Sequence, residues 1–338
     1  MSGIIGYGAY VPQYRLKQQD AAIPWGGFAM GEKAVCGWDE DVVSMAAEAL
    51  DNAMKQSGVK SADIGALYLG TASSPLVEQH ISPILAETLR LSPHAAVLDF
   101  TGSINAVGTA LSQCLMAIEA KRIKCGVVVG TENRAVGPGS DAEVNFGAAA
   151  VAMIIGTEGT IADIEGVESF QSLFYDRWRN IRDPWVSNYF DVRFDREYGY
   201  TKHIEEASKT LMTKLAKKPT DFNYAVFPQP DGRLPAGVGK ALGIKNVFPD
   251  LTPAIGDVGG VSPFLCMSGV LDQAKPGERI LVSSYGSGAA NAFSIVVKEG
   301  IEKKRGKTKT LEKYIARKAY VDYPAYLRLM GNIRRVPY

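Results

Sequence analysis

The sequence predicts an α/β protein built from two copies of one structural unit. Short apolar segments of strand length alternate with longer segments of helical periodicity, which is typical of sheets whose faces are covered by helices. The segments of residues 1–158 recur in the same order in residues 159–338, so the sequence predicts one half of the duplicated unit in each range. A chain of 338 residues is long enough to bury a sizeable core.

The first half begins with a predicted strand, Ile4–Val11, that ends at Pro12. Asp39 is the predicted N-cap of a long amphipathic helix, and Gly58 ends that helix. The other predicted elements of this half are strands at Ala66–Leu69, Ala95–Phe100, Gly126–Gly130 and Ala148–Ile155, with a short helix at Ile84–Leu91.

The second half repeats this order from a strand at Gly159–Val167. Ile255–Asp257 leads through a glycine-rich turn into a helix, as Leu98–Phe100 does in the first half. Its other predicted elements are helices at Thr201–Lys217, Gly237–Leu242 and Phe264–Gln273, and strands at Tyr224–Phe227, Ile280–Ser283 and Phe293–Val297.

The chain is organised around a strand, a turn and a helix in residues 95–118. A buried strand at Ala95–Phe100 leads through the small-residue turn Thr101–Asn105 into a helix with an apolar stripe. Many acyl-transfer enzymes place a Cys or Ser nucleophile at such a turn, where the first helical N–H groups stabilise an oxyanion. This turn holds no cysteine.

Ligands of such folds bind outside the carboxyl ends of the strands. In this sequence those ends are loops 70–75, 101–105 and 131–147 in the first half and 228–235, 257–263 and 285–291 in the second.

Composition excludes several other classes of protein. The formal net charge of +1 gives no electrostatic reason to expect binding to nucleic acid or to a membrane surface. The four cysteines form no CxxC pair, so the sequence predicts neither a disulfide framework nor a metal site, and no covalently bound cofactor. No apolar run approaches the ~20 residues of a membrane span, and we predict a cytoplasmic protein.

Two segments interrupt the repeat. Residues 170–199 are rich in aromatic side chains and arginine. They are either a surface excursion held by aromatic anchors or a lid over an acyl or nucleotide-bearing substrate, since arginine suits phosphate groups. Residues 298–338 are a basic, helix-prone tail that we expect to dock on the body of the protein.

Several motifs carry a resemblance to one family over essentially the whole chain. They are IGYGAYVPQYRL, EKAVCGWDED, ALYLGTASSP, NAVGTALSQC, FYDRWRN, GYTKH, DFNYAVFPQPDGRLP, PAIGDVGG, AKPGERILVSSYGSGA and EKYIARKAYVDY. Together they resemble the short archaeal and bacterial 3-hydroxy-3-methylglutaryl-CoA synthases of the thiolase superfamily. The resemblance implies the thiolase fold, a duplicated five-layer αβαβα architecture.

The resemblance also implies that the usual catalytic residues are substituted. That family uses a nucleophilic Cys, a His and a Glu, and the matching positions here hold Asn105, Pro228 and Ala72. Asp257 replaces a supporting Asn. Asparagine is not a nucleophile, and neither proline nor alanine can transfer a proton, so ordinary synthase activity is not expected.

The remaining candidates for catalysis are few. They are Ser103, Asn105, Asp257 and His80. Ser103 is either a nucleophile or a helix cap, and His80 either reaches the site or is a solvated loop residue. Asp257 is either a base with a raised pKa or a group that holds water or a partner's side chain. The candidates for binding a coenzyme A thioester are Arg177, Arg179, Arg233, Gly286, Ser287 and Gly288.

We therefore expect a subunit of an acyl-CoA thiolase or acyltransferase complex that makes or breaks a carbon–carbon bond beside a thioester and is inert alone. The alternatives are an active enzyme with a rearranged residue set and a non-catalytic scaffold that binds CoA. The resemblance implies a homodimer or heterodimer paired through strand 95–100. It also implies a separate zinc-ribbon and OB-fold partner and a catalytic thiolase-like chain.

Overall fold

A computed structural model describes residues 2–188 and 191–333. Residues 189–190 of the predicted lid and 334–338 of the predicted tail lie outside the described residues.

The strands are β1 (Gly3–Tyr10), β2 (Tyr14–Lys17), β3 (Glu32–Val35), β4 (Ala66–Gly70), β5 (Ala96–Phe100), β6 (Cys125–Asn133), β7 (Ala148–Gly156), β8 (Ala162–Gln171), β9 (Arg177–Trp178), β10 (Ser187–Asn188), β11 (Tyr224–Val226), β12 (Arg279–Gly286), β13 (Ala289–Val297) and β14 (Ala319–Tyr320). The helices are α1 (Gln18–Ala22), α2 (Val42–Ser57), α3 (Ser82–Thr88), α4 (Ala106–Glu119), α5 (Asp141–Asn145), α6 (Val192–Phe194), α7 (Lys202–Lys214), α8 (Leu234–Leu242), α9 (Thr252–Ile255), α10 (Ser262–Leu271), α11 (Leu311–Ala316) and α12 (Tyr323–Leu329). A π-helical segment, Asp195–Thr201, joins α6 to α7.

Nine strands form one mixed sheet in the order β11-β12-β13-β8-β1-β7-β6-β4-β5. Strands β1, β7, β6, β4 and β5, on one side of this sheet, come from the first half of the chain. Strands β8, β13, β12 and β11, on the other side, come from the second half. The two groups join where Gly3 and Ile4 of β1 pair with Asp163 and Ala162 of β8. The boundary between two predicted domains stays a prediction.

Helices pack on these strands in layers. Helices α2 and α3 share a core with the first-half strands, and α7 and α8 share another with the second-half strands. Helices α4 and α10 lie in the largest core together with strands of both halves. The two halves of the one sheet act as two layers, with α4 and α10 between them and the other two helix pairs outside. The predicted five-layer α/β fold class is therefore confirmed.

Two local predictions at the first half are wrong. The N-cap of α2 is Asp41, whose carboxylate accepts the N–H groups of Val43 and Ser44, and Asp39 lies outside the helix. Strand β5 is not buried, because it is the last strand of the sheet and pairs only with β4. Leu98 in its centre is 44% exposed.

The prediction that residues 255–257 are the second-half equivalent of strand β5 is also wrong. Residues 255–257 form no strand beside β11. The backbone that pairs in parallel with Ala225 of β11 is at Val247, through a single isolated bridge. Asp257 instead bridges to Phe146, which carries it toward the first half of the chain.

The C-terminal tail is docked on the first half, as expected. Strand β14 adds in parallel to β2, and the side chains of Tyr314 and Tyr326 are buried. The Tyr326 hydroxyl accepts a hydrogen bond from Nζ of the buried Lys33 at 2.9 Å. The described residues contain no helix long and apolar enough to cross a membrane.

Candidate active site

A cleft of about 630 Å³ opens at the carboxyl ends of β4, β5 and β6. Its wall is made of residues 72–77, 101–104 and 133–135, with residues 176–181 of the inserted segment opposite. The first three ranges belong to three of the loops at which the sequence predicts ligand binding. Of the three loops predicted in the second half, only 285–291 reaches the cleft, through Ser287. A broader depression of about 890 Å³ lies around Gly65 and Cys125, at the amino ends of β4 and β6, where ligands of such sheets do not bind.

Asn105, at the N-terminus of α4, lies in a buried network of polar side chains. Its amide Nδ2 donates to Oδ1 of Asn291 at 2.7 Å, and its Oδ1 accepts from the Ser284 hydroxyl at 2.6 Å. Asn291 in turn donates to the hydroxyls of Ser112 and Ser169. Asn105 is only 4% exposed and does not line the cleft, so its amide serves packing rather than substrate contact.

Ser103 lines the cleft but is bonded to backbone alone. Its hydroxyl donates to the Gly286 carbonyl at 3.1 Å and accepts the Asn105 N–H at 3.0 Å. The N-cap of α4 is Asn105, so Ser103, two residues earlier, stabilises the turn before the helix and is not its cap. None of its hydrogen-bond partners is a base that could activate the hydroxyl.

Glycine at 286 has a packing reason. A Cβ built there would lie 2.5 Å from the Ile104 side chain and 2.6 Å from the Asn105 nitrogen. At Gly288, with φ +74°, a Cβ would lie 2.4 Å from the Ser172 carbonyl oxygen. Glycine at both positions therefore allows close approach of the chain itself, and the role of Gly286 and Gly288 in binding a CoA thioester stays a prediction.

The thiols do not take the place of the missing nucleophile. All four cysteines are buried, and neither a thiol nor an imidazole lines the described cleft. Burial raises the pKa of Cys125 to about 11, and it raises the pKa values of Cys36, Cys114 and Cys266 further. Such thiols stay protonated at neutral pH and are not nucleophilic.

Asp257 holds two arginines beneath the cleft. Arg134 Nη2 lies 2.9 Å from one carboxylate oxygen and Arg177 Nη1 lies 3.2 Å from the other. The Gly259 N–H adds a bond of 2.8 Å, and the Phe146 ring lies 3.4 Å from the Arg134 guanidinium carbon. Burial opposes ionisation of Asp257, but the two guanidiniums outweigh it and lower the pKa. The alternative of a base with a raised pKa is therefore wrong.

A residue that the sequence did not indicate, Glu132, lies just behind the cleft wall at the end of β6. Its carboxylate is fully buried, accepts the Ala72 N–H at 2.9 Å and accepts the hydroxyl of Ser73. Burial raises its pKa to about 7, against the lowering effect of the nearby Arg134. The sequence does carry a signal for Glu132, namely an acidic residue close behind an apolar run of strand length. A glutamate in such a place is seldom buried unless another group pairs with it.

The inserted segment brings two of the predicted arginines to the cleft. Arg177 and Arg179 line it, as does Ser287 from the loop after β12. Arg179 is exposed, whereas Arg177 forms an ion pair with Asp257. Their role in binding a thioester stays a prediction.

Three other positions lie away from the cleft. His80 is in an exposed loop, with Nδ1 4.0 Å from Asp99 at the edge of the sheet. Arg233 precedes α8, and its N–H donates to Asp231. Pro228, which the resemblance sets at the family's His, is buried, and its carbonyl accepts the Tyr200 hydroxyl at 2.6 Å. None of these three residues is among the described residues that line the cleft.

The five-layer duplicated fold and a cleft at the mouth of its central helix define the class of the thiolase-fold proteins. No protein-family model matches the chain. The hydroxymethylglutaryl-CoA synthase of Methanocaldococcus jannaschii is 36% identical over 346 residues, covering 99% of this chain and 100% of that protein. That of Pyrococcus furiosus is 37% identical over 334 residues, covering 96% and 95%.

This chain therefore belongs to the hydroxymethylglutaryl-CoA synthase family. Solved structures agree on the fold. A structure of MvaS in complex with 3-hydroxy-3-methylglutaryl coenzyme A has a TM-score of 0.85 at 19% identity and covers 97% of this chain and 91% of its own. A 3-oxoacyl-[acyl-carrier-protein] synthase III from Aquifex aeolicus has a TM-score of 0.77 at 18% identity and covers 88% and 100%.

Proposed function

We propose that this chain binds an acyl-CoA thioester in the cleft and takes part in carbon–carbon bond chemistry beside the thioester without carrying an acyl group itself. Membership of a family of acyl-CoA condensing enzymes supports the thioester. The single observation that supports the absence of an acyl-enzyme is the helix mouth, where Asn105 is locked in an amide network and no thiol reaches the cleft.

The proposal predicts binding of CoA thioesters without covalent transfer. Incubation of the full chain with acetyl-CoA should leave its intact mass unchanged, while calorimetry shows binding of the same thioester. A family member that retains the cysteine is the positive control and should gain one acetyl group. An acyl group found on Ser103 or on a cysteine of this chain would contradict the proposal, and absence of binding would remove it.

The segment 170–199 is proposed to be the lid over this ligand. Its residues 176–181 already form one wall of the cleft, and Arg177 and Arg179 offer guanidinium groups to the phosphates of CoA.

The exposed edge of the sheet supports a proposal for how this chain pairs with another chain. Within residues 2–188 and 191–333, no strand pairs with the outer side of β5, and Leu98 of that strand is exposed. We therefore propose a dimer, homomeric or heteromeric, in which two such edges pair. The proposed setting is a cytoplasmic complex with a catalytic thiolase-like chain and a separate zinc-ribbon and OB-fold protein.

Disrupting that edge is expected to give a monomer. Leu98→Glu places a charge in the centre of β5, where pairing with a second apolar edge would bury it. The control, Val192→Glu, changes a residue of similar exposure (50%) outside the sheet. Analytical ultracentrifugation should show loss of the dimer for Leu98→Glu alone; an unchanged assembly would place the interface elsewhere.

The second candidate is that the chain itself turns over substrate with a rearranged set of residues. The observation that favours it is the buried Glu132 at the back of the cleft, whose hydrogen bonds reach two residues of the cleft wall.

A further inference from the structure

Ser73 is the point at which a buried carboxylate reaches the cleft. The Ser73 hydroxyl donates to Oε2 of Glu132 and accepts the Asn133 N–H at 3.1 Å. Ser73 lines the cleft and is partly exposed, whereas Glu132 is not exposed at all. A proton can therefore leave or enter the Glu132 carboxyl group on the cleft side by way of the Ser73 oxygen.

The position of Glu132 follows from strand pairing. Strands β4 and β6 are parallel, with Gly70 beside Gly130. Two residues further along, Ala72 and Glu132 are neighbours, and the Ala72 N–H donates to Glu132 Oε1. A carboxylate from the adjacent strand therefore lies against the loop that holds Ala72 and Ser73.

We propose that Ser73 and Glu132 form a proton relay for the oxygen on C3 of an acyl thioester bound in the cleft. This inference rests on the proposed function and names its substrate class, a 3-hydroxyacyl thioester or the carbonyl compound from which one forms. Ser73 touches the substrate, and Glu132 is a positioning residue that stores the proton and acts through Ser73. The serine hydroxyl can relay a proton between the C3 hydroxyl of the substrate and the Glu132 carboxylate, because protons pass readily between oxygen atoms.

The step balances without any co-reactant other than water. In the cleavage direction, the C3 hydroxyl gives its proton to Ser73 Oγ as the Ser73 proton moves to Glu132. The C3–O bond becomes a carbonyl, the C2–C3 bond breaks, and its electron pair forms the thioester enolate, which takes a proton from water at C2. The hydroxide left by that water takes the proton back from Glu132 through Ser73, which restores the carboxylate. In the condensation direction the same steps run in reverse, with Glu132 as the source of the proton.

The charges around Glu132 fit this use. Arg134 and Asp257 are the charged groups that act on it, and the Asp257 carboxylate is already paired with Arg134 and Arg177. Burial raises the pKa of Glu132 to about 7, against the lowering effects of Arg134, Ser73 and Ala72. Both protonation states are then populated near neutral pH, which is what a group that both gives and takes a proton needs.

The test uses the full chain and 3-hydroxy-3-methylglutaryl-CoA as the probe. Release of acetyl-CoA is measured by chromatography from pH 5.5 to 8.5, and binding of the probe is measured by calorimetry in parallel. We expect release that rises with pH and reaches half its maximum near pH 7. Ser73→Ala and Glu132→Gln should each lower the rate by about 10²–10⁴-fold and leave binding unchanged.

Conservative variants separate the relay from a structural role. Ser73→Thr keeps the hydroxyl and should keep most of the rate, and Glu132→Gln should lose the dependence on pH. Ser208→Ala removes a buried serine that bonds only Ser283 outside the cleft, and it should behave as the wild type. Binding without release, or release by Glu132→Gln at the wild-type rate, would overturn the relay and leave the proposed function standing. Absence of binding would overturn both.

Discussion

Asp257→Asn is expected to lower the free energy of unfolding by about 3 kcal/mol at pH 7, because it leaves the buried Arg134 charge without its counter-ion. Arg134 has 3% of its side chain exposed, so water cannot replace the lost carboxylate charge. Two of its guanidinium nitrogens, Nε and Nη1, already lack a hydrogen-bond partner among the described residues. Urea unfolding of the two proteins measures the difference directly.

The direction of the pH dependence follows from the lowered pKa of Asp257. A carboxylate whose pKa is lower in the folded than in the unfolded state stabilises the fold above its unfolded value, about 4, and this stabilisation is lost as the pH falls through the folded value. The difference between wild type and Asp257→Asn should therefore shrink below about pH 4.

Two further variants test the cause. Arg134→Met combined with Asp257→Asn removes the stranded charge and should recover part of the loss. Asp231→Asn breaks an exposed pair with Arg196, whose side chains are 31% and 47% exposed, and should cost less than about 1 kcal/mol. Equal losses for Asp257→Asn and Asp231→Asn would show that burial of the Arg134 pair is not what stabilises this region.

Lys33→Met is expected to change how stability depends on pH between pH 7 and 8.5. Burial lowers the pKa of Lys33 to about 7, with the Glu143 charge acting in the opposite direction. In this window the unfolded chain keeps the lysine proton that the folded chain has lost, so wild-type stability rises with pH. One proton gives a slope of at most about 1.4 kcal/mol per pH unit, and Lys33→Met should remove that slope.

The window ends at pH 8.5 because the buried cysteine thiols contribute as the pH rises past their ordinary value of about 8.5. Glu132, whose pKa burial raises to about 7, still titrates at the lower end of the window, but it does so in both proteins and cancels in their difference. Lys55→Met, which removes an exposed i,i+4 pair with Asp51, is the control and should leave the slope unchanged. Parallel curves for wild type and Lys33→Met would show that Lys33 does not lose its proton on folding.

Part of the candidate site could be read from the sequence because it depends on chain-local order. The loops after Ala66–Leu69 and Ala95–Phe100 follow apolar strand patterns, and parallel strands bring their carboxyl ends to one edge. The absence of cysteine at residues 101–105 is likewise a property of the sequence alone.

The rest of the site depends on contacts between distant residues. Arg134 and Asp257 are 123 residues apart, and Ser73 and Glu132 are 59 apart. Neither predicted role of Asp257 includes the pairing that the structure shows, in which Arg134 and Arg177 of the same chain bind its carboxylate and lower its pKa. Burial cannot be assigned from composition either, since the apolar strand at 96–100 lies at the edge of the sheet.

The sequence by itself determined the α/β fold class and the family, because periodicity and residue identity are local properties. It also predicts that Asn105, Pro228 and Ala72 replace the family's Cys, His and Glu. Only the tertiary structure decided which side chains meet in the cleft. The register of β4 against β6 brings Glu132 to Ala72 and Ser73, and the packing of the second half brings Asp257 to Arg134. Charge and proton transfer depend on such distances and on burial, and these arise only when remote segments pack together.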